Sequence, residues 1–242
     1  MDINCDLGEG EPLARTRALL RQVPSANIAC GGHAGTDQSM RECLRLCREL
    51  GVRAGAHPGY PDRENFGRVE RELSMGEFTT LIAQQLGALS LIGKAEGVKL
   101  RHIKLHGALY HAVEKSPELT CAYVKFLREY APRLIVVALA GGALVQAARA
   151  AGLKAWGEVF AERGYTPEGQ IIARTEAGAL IEDIATIRAR LAHWQAHGTF
   201  PNTTALDAQT ICIHSDSPGA VEIAKLLAKT FGTRQSQGSG CG

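Results

Sequence analysis

A parallel β/α barrel is the fold this sequence predicts, and three observations predict it. Strand-like and helix-like segments alternate seven times along 242 residues, which implies a parallel sheet covered by helices. Glycine or proline stands at the joins, at Gly51, Pro58, Gly97, Pro132, Gly152 and Pro218. Several strands alternate polar with apolar residues. The strands of an open, doubly wound sheet are buried on both faces and form continuous apolar runs, so the alternation favours a closed barrel over an open sheet.

The elements follow in order. The strand at 2–6 sets Asp2, Asn4 and Asp6 against Ile3, Cys5 and Leu7, and a helix over 13–22 comes next. The strand at 26–31 opens NIACGGHAG and precedes a helix over 37–50. The strand at 52–57 ends at His57, in GAHPGYPDRENFGR, ahead of a long helical pattern over 74–96. The strand at 101–106, RHIKLH, puts His102, Lys104 and His106 on one face and Ile103 and Leu105 on the other. A helix over 117–130 leads to the strand at 134–139, LIVVAL, which is apolar throughout. A helix over 142–151, a strand over 154–160 and a helix over 178–197 follow. The strand at 209–214 alternates Thr210, Cys212 and His214 with Ile211 and Ile213, and a helix over 218–230 closes the series. No repeat or linker interrupts it. Residues 1–232 are expected to form one domain, and 233–242 a disordered tail.

In a barrel the apolar set packs outward under the helices and the polar set points inward. Barrel interiors are usually filled by branched apolar side chains, and buried polar groups are unfavourable unless paired. A pocket reaching down into the barrel would justify them. The strand ends carry Asp6 and Glu9; His33; His57; Lys104 and His106; Glu158 and Arg163; and His214 and Asp216. The C-terminal ends of parallel strands share one face, where α/β enzymes place their sites. Lys104 must there pair with Asp6 or Glu158, meet an anionic substrate, or lose its proton. Arg163 is a candidate second anion contact. His102 sits deepest and is expected to bond across the barrel. His111 is expected to be peripheral, and His193 and His197 to lie on a solvent-facing helix edge.

Composition excludes several classes. The formal net charge is +2 with no basic run, so no nucleic-acid surface is expected. No stretch of 18 apolar residues marks a membrane span, and no leader opens the chain; a cytoplasmic protein is expected. Seven cysteines without framework spacing point to reduced, mostly buried thiols. There is no phosphate-binding P-loop, dinucleotide fingerprint or serine-hydrolase elbow.

The segments DINCDLGEG, SANIACGGHAG, GAHPGYPDRENFGR, KLHGALYH, EVFAERGY and ICIHSDSPGA, in this order, closely resemble the LamB/YcsF family, to which the A subunits of bacterial 5-oxoprolinases belong. Departures from the family pattern are Gly32, Thr36, Leu105 and Ser215. The resemblance implies an irregular seven-stranded barrel of the glycoside hydrolase/deacetylase type. It implies a protein that opens 5-oxoproline to L-glutamate with ATP hydrolysis, alongside partner subunits B and C. The partners would bind ATP and activate the lactam, and this chain would open the activated ring. Asp6 or Glu9 is then the candidate base and His57 or His106 the candidate acid. Lys104 and Arg163 would hold the carboxylate or oxyanion, His33 and His214 would orient these groups, and Asn4, Glu158 and Asp216 would complete the substrate site. Two rival readings exist. One is a metal-dependent deacetylase or amidohydrolase acting alone, with Asp6, His33 and His57 as ligands. The other is a non-catalytic subunit that binds a small acid.

Overall fold

The computed structural model describes residues 1–217 and 219–232; the tail expected at 233–242 lies outside the described residues. Seven strands form one closed, all-parallel barrel in chain order: β1 (Asp2–Leu7), β2 (Ser25–Ala29), β3 (Arg53–His57), β4 (His102–Lys104), β5 (Ile135–Leu139), β6 (Ala155–Phe160) and β7 (Thr210–His214). β1 closes the ring against β7, with Asn4 opposite Cys212 and Asp6 opposite His214.

Eight helices are described: α1 (Leu13–Leu20), α2 (Asp37–Leu50), α3 (Met75–Ala95), α4 (Gly107–Lys115), α5 (Pro117–Tyr130), α6 (Ala143–Ala150), α7 (Ile184–His197) and α8 (Ala220–Phe231). α2 illustrates why they form. Thr36 and Ser39 make a reciprocal capping box at its start, and Gly51 ends it in the left-handed region at φ 66°. Its buried residues include Met40, Cys43, Leu44 and Cys47, a single stripe at helical spacing that packs on the barrel. The outward rows of the strands, such as Ile3, Cys5 and Leu7, are fully covered in this way. All six described cysteines are unpaired, and only Cys121 is exposed.

Two expectations need correction. The fourth strand spans three residues rather than 101–106. The His106 amide turns out of the sheet to donate to the Pro58 carbonyl at 2.8 Å, and α4 begins at once, where no helix was expected. The helix expected from 178 begins at Ile184. Residues 161–183 instead form an antiparallel ribbon over the barrel mouth, with bridges Arg163 to Leu180 and Tyr165 to Ile171. Among the described residues, no helix is long and apolar enough to cross a membrane.

The barrel interior is polar and closely bonded. Asn4 Nδ2 donates to Thr210 Oγ1 at 2.7 Å, Asn27 Nδ2 donates to Asn4 Oδ1 and Asp6 Oδ1 at 2.6 and 2.7 Å, and His102 Nε2 donates to Asn27 Oδ1 at 2.7 Å. His102 does cross the barrel, and Gly55 makes room for it: a side chain at Gly55 would overlap the His102 ring. Burial pushes His102 down to about 3, so it is neutral and serves as a donor. This layer plugs the bottom of the barrel and supports the residues above it.

Candidate active site

Asp6, on β1, stands at the centre of the barrel mouth. Its Oδ1 accepts from Lys104 Nζ at 2.9 Å and from Asn27, and its Oδ2 lies 3.3 Å from His57 Nε2 and 3.8 Å from His214 Nε2. Lys104 also approaches Glu158 Oε2 and Cys212 Sγ, both at 2.9 Å. Burial opposes charge on each of these groups. For Lys104 the surrounding Asp6, Cys212 and Glu158 outweigh it and hold the ammonium well above its ordinary range. For Asp6, His57 and Lys104 outweigh it and hold the carboxyl well below. Lys104 is therefore a charged residue already satisfied by two carboxylates. Asn4 and Glu158 lie beneath this pair and support it.

A second cluster joins the ends of four segments. Glu9 Oε1 lies 2.9 Å from His33 Nε2, 3.2 Å from His106 Nδ1 and 3.6 Å from His57 Nε2. The His33 and His106 rings stack at 3.5 Å. Gly67, at φ 61°, turns tightly against them; an added Cβ there would come within 2.7 Å of His33 Cβ. The protons can be placed. His57 Nδ1 donates to the Lys104 carbonyl at 2.9 Å, and His106 Nε2 donates to the Phe66 carbonyl at 2.9 Å, because a carbonyl only accepts. The nitrogens left over, His57 Nε2 and His106 Nδ1, face each other at 3.0 Å. Two neutral rings would set lone pair against lone pair. The contact requires something positive, either a proton on one ring or a metal ion. Burial lowers His106, and it pushes His33 down to about 4 against the pull of Glu9.

The donor set suits a transition metal. Glu9, His33, His57 and His106 offer ligand atoms within 4.8 Å of one another, and two of the imidazoles have the carbonyl partners that orient ligating histidines. Asp6 and Glu158 already face Lys104, and Glu162 faces His214, whereas Glu9 has only the three imidazoles around it, which leaves its carboxylate for a cation. The expected trio of Asp6, His33 and His57 is thus redrawn. Asp6 falls in a separate group with Cys212 and His214, where the Lys104 ammonium is already the cation.

On the opposite side, Glu162 Oε1 lies 2.6 Å from His214 Nδ1. Burial opposes the charge of His214, but Glu162 outweighs it and raises the imidazole above its ordinary range. Above these residues lies a cavity of about 550 Å³ lined by Asp6, Lys104, His106, His214 and residues of α4 and the ribbon.

A sequence model of the LamB/YcsF family matches residues 1–239. This chain belongs to the LamB/YcsF family. The crystal structure of a lactam utilization protein from Thermus thermophilus is 36% identical, with a TM-score of 0.86, and the match covers 95% of both chains. A putative cellobiose-phosphate cleavage protein from Enterococcus faecalis matches at 12% identity and a TM-score of 0.55, over 97% of this chain and 90% of that one; at that identity the likeness concerns the fold alone. One departure from the LamB/YcsF pattern has a visible reason. At Gly32 an added Cβ would lie 2.6 Å from both the Gln85 side chain and the Gly59 carbonyl oxygen, so Gln85 and the Gly59 backbone fill the space a side chain would need.

Of the residues expected in the LamB/YcsF site, Asp6, Glu9, His33, His57, Lys104, His106, Glu158 and His214 converge. Two do not act as expected. Asp216 pairs with Arg68 at 2.6 Å on the rim. Arg163 lines the cavity but donates to the carbonyls of Ala179 and Ile172 at 3.1 and 2.7 Å, so it braces the ribbon. His111, expected to be peripheral, lines the cavity. Tyr110 and Arg174 also line it and were not anticipated. Tyr110 lies within KLHGALYH and Arg174 within a segment of no clear periodicity, and neither has a local signal of its role.

Proposed function

We propose that this chain is the ring-opening subunit of an ATP-dependent 5-oxoprolinase, a cytoplasmic hydrolase of a cyclic amide. The reading is supported by the family, by the lactam utilization neighbour, and above all by one observation: a carboxylate–histidine cluster on one side and the Glu162–His214 pair on the other flank Asp6 at the floor of a small cavity. Opening an amide needs both, because water must lose a proton and the departing nitrogen must gain one. The Glu9 carboxylate, set among His33, His106 and His57, would take the proton of the attacking water. His214, whose hold on a proton Glu162 strengthens, would give that proton to the ring nitrogen as the C–N bond breaks. Lys104 holds Asp6 and, through Asp6, the spacing between the two sides. The partner subunits B and C would bind ATP and activate the lactam before it reaches this cavity.

The metal-dependent reading keeps the same residues. Glu9, His33, His57 and His106 would hold a divalent ion, and such an ion when bound lowers the pKa of water toward neutrality. Reconstitution separates the readings. Purified chain, alone and with partners B and C, is supplied with 5-oxoproline and ATP, and glutamate is followed. Glutamate release only with both partners and ATP is the expected result. Amide hydrolysis by the isolated chain without ATP, abolished by a chelator, would replace this proposal with the metal-dependent one.

A further inference from the structure

The cations around the cavity are unequally satisfied. Lys104 meets Asp6 and Glu158, Arg68 meets Asp216, and Lys115 reaches Glu70 at 4.0 Å. Arg163 has no carboxylate partner among the described residues; its guanidinium holds two ribbon carbonyls. Burial and the nearby charge of Arg174 lower its pKa, which places the two guanidiniums within each other's field. Arg174 itself makes no hydrogen bond or ion pair among the described residues. It lines the cavity from the ribbon, with its donors free.

Across the cavity, α4 begins without a side-chain cap, and its Gly107 and Ala108 line the wall. Tyr110, on the same helix, is 5% exposed, and its hydroxyl is buried with no partner among the described residues. A buried hydroxyl without a partner is unfavourable and rarely persists in a folded protein. The Tyr110 side chain lines a cavity able to admit a small molecule. An unpaired guanidinium on the outer wall and an unpaired phenol on the facing helix therefore share one cavity above the proton-transfer residues.

We propose that Arg174 and Tyr110 are the substrate-recognition pair, specific for a small acid that also carries a neutral polar edge. Arg174 takes the carboxylate by charge-assisted hydrogen bonds. The Tyr110 hydroxyl bonds the amide edge. Arg163 is the positioning residue that fixes the ribbon bearing Arg174. Lys104, already neutralised by two carboxylates, is not the carboxylate anchor. The assignment of the amide edge rests on the lactam reading above; the acid-binding role of Arg174 does not.

Isothermal titration calorimetry on the full chain tests this with three probes: 5-oxoproline, its uncharged analogue 2-pyrrolidone, and the open-chain diacid glutarate. Arg174 is exposed, so Arg174→Gln should fold normally. It should weaken 5-oxoproline roughly 10- to 100-fold and leave 2-pyrrolidone unchanged, as expected for one charged hydrogen-bonded contact. Tyr110→Phe should weaken both lactams by about fivefold. Binding of 5-oxoproline by Arg174→Gln within twofold of wild type would overturn the proposal. So would equal weakening of 2-pyrrolidone by that substitution, or failure of every anionic probe to bind the wild-type chain. If glutarate binds through Arg174 while 5-oxoproline does not bind at all, the acid subsite stands and the Tyr110 contact to the amide edge falls.

Discussion

The floor and the wall of the cavity are built on opposite rules. On the floor, Asp6, Lys104, Asn27, Asn4, Thr210 and His102 satisfy one another within the barrel. On the wall, Arg174 and Tyr110 have no partner among the described residues. A saturated network fixes geometry, and an unsatisfied one leaves free energy for a ligand. The difference teaches where to look for each role. On the proposed reading, the floor sets the catalytic geometry and the wall recognises the ligand.

The comparison breaks most visibly at Lys104. Lys104→Met leaves Asp6 and Glu158 as buried, unpaired carboxylates, and removing one member of a buried ion pair typically destabilises by roughly 3–5 kcal/mol. Urea unfolding should show a loss of that order. A loss under ~1 kcal/mol would mean that the floor is not a closed network. The histidine cluster sharpens the picture next. If it holds a metal, the wild-type chain dialysed against zinc should retain one equivalent by elemental analysis. Replacing His106 by Asn should weaken retention by at least about 100-fold, since even loss of an outer-shell partner costs roughly 10- to 100-fold. Equal retention by both proteins would move the metal elsewhere or remove it.

A pH effect comes third, at His214 and Glu162. The folded-state pKa of His214 lies above 6.5, so its stabilisation is complete below that pH and is lost as pH rises through the folded value. Glu162 is lowered below 4.5; burial opposes this and His214 outweighs it. Its stabilisation is present above that pH and lost as pH falls through the folded value. The pair thus stabilises most between the two, and Glu162→Gln should flatten both limbs of the stability–pH curve. An unchanged curve would show that the two residues are not coupled. The smallest effect belongs to the rim. Arg68 and Asp216 are 38% and 37% exposed, and Asp216→Asn should alter stability by less than about 1 kcal/mol. A larger change would erase the distinction between wall and floor.

Much of this was legible in the sequence, for identifiable reasons. The period-two alternation of β1, β4 and β7 indicated both the barrel and its polar lining, because one residue of slip would have buried the wrong face. The strand ends then located Asp6, His57, Lys104 and His214. The short β4 was not legible, since it stops when the His106 amide finds Pro58, far away in the chain. α4 was hidden because its first residues continue KLHGALYH without a spacer. Arg163 and Asp216 had the expected residue types, but their partners are Ile172, Ala179 and Arg68, which only the folded ribbon and rim supply. Tyr110 and Arg174 are significant for what they lack, and a missing partner leaves no mark on a sequence.

The most direct measurement is the crystal structure of the chain with 5-oxoproline bound. The carboxylate should lie on Arg174, the amide edge against Tyr110, and the ring carbonyl on the side of Glu9, His57 and His106. A ligand whose carboxylate sits on Lys104, or that binds outside the mouth altogether, would contradict the division between a catalytic floor and a recognising wall.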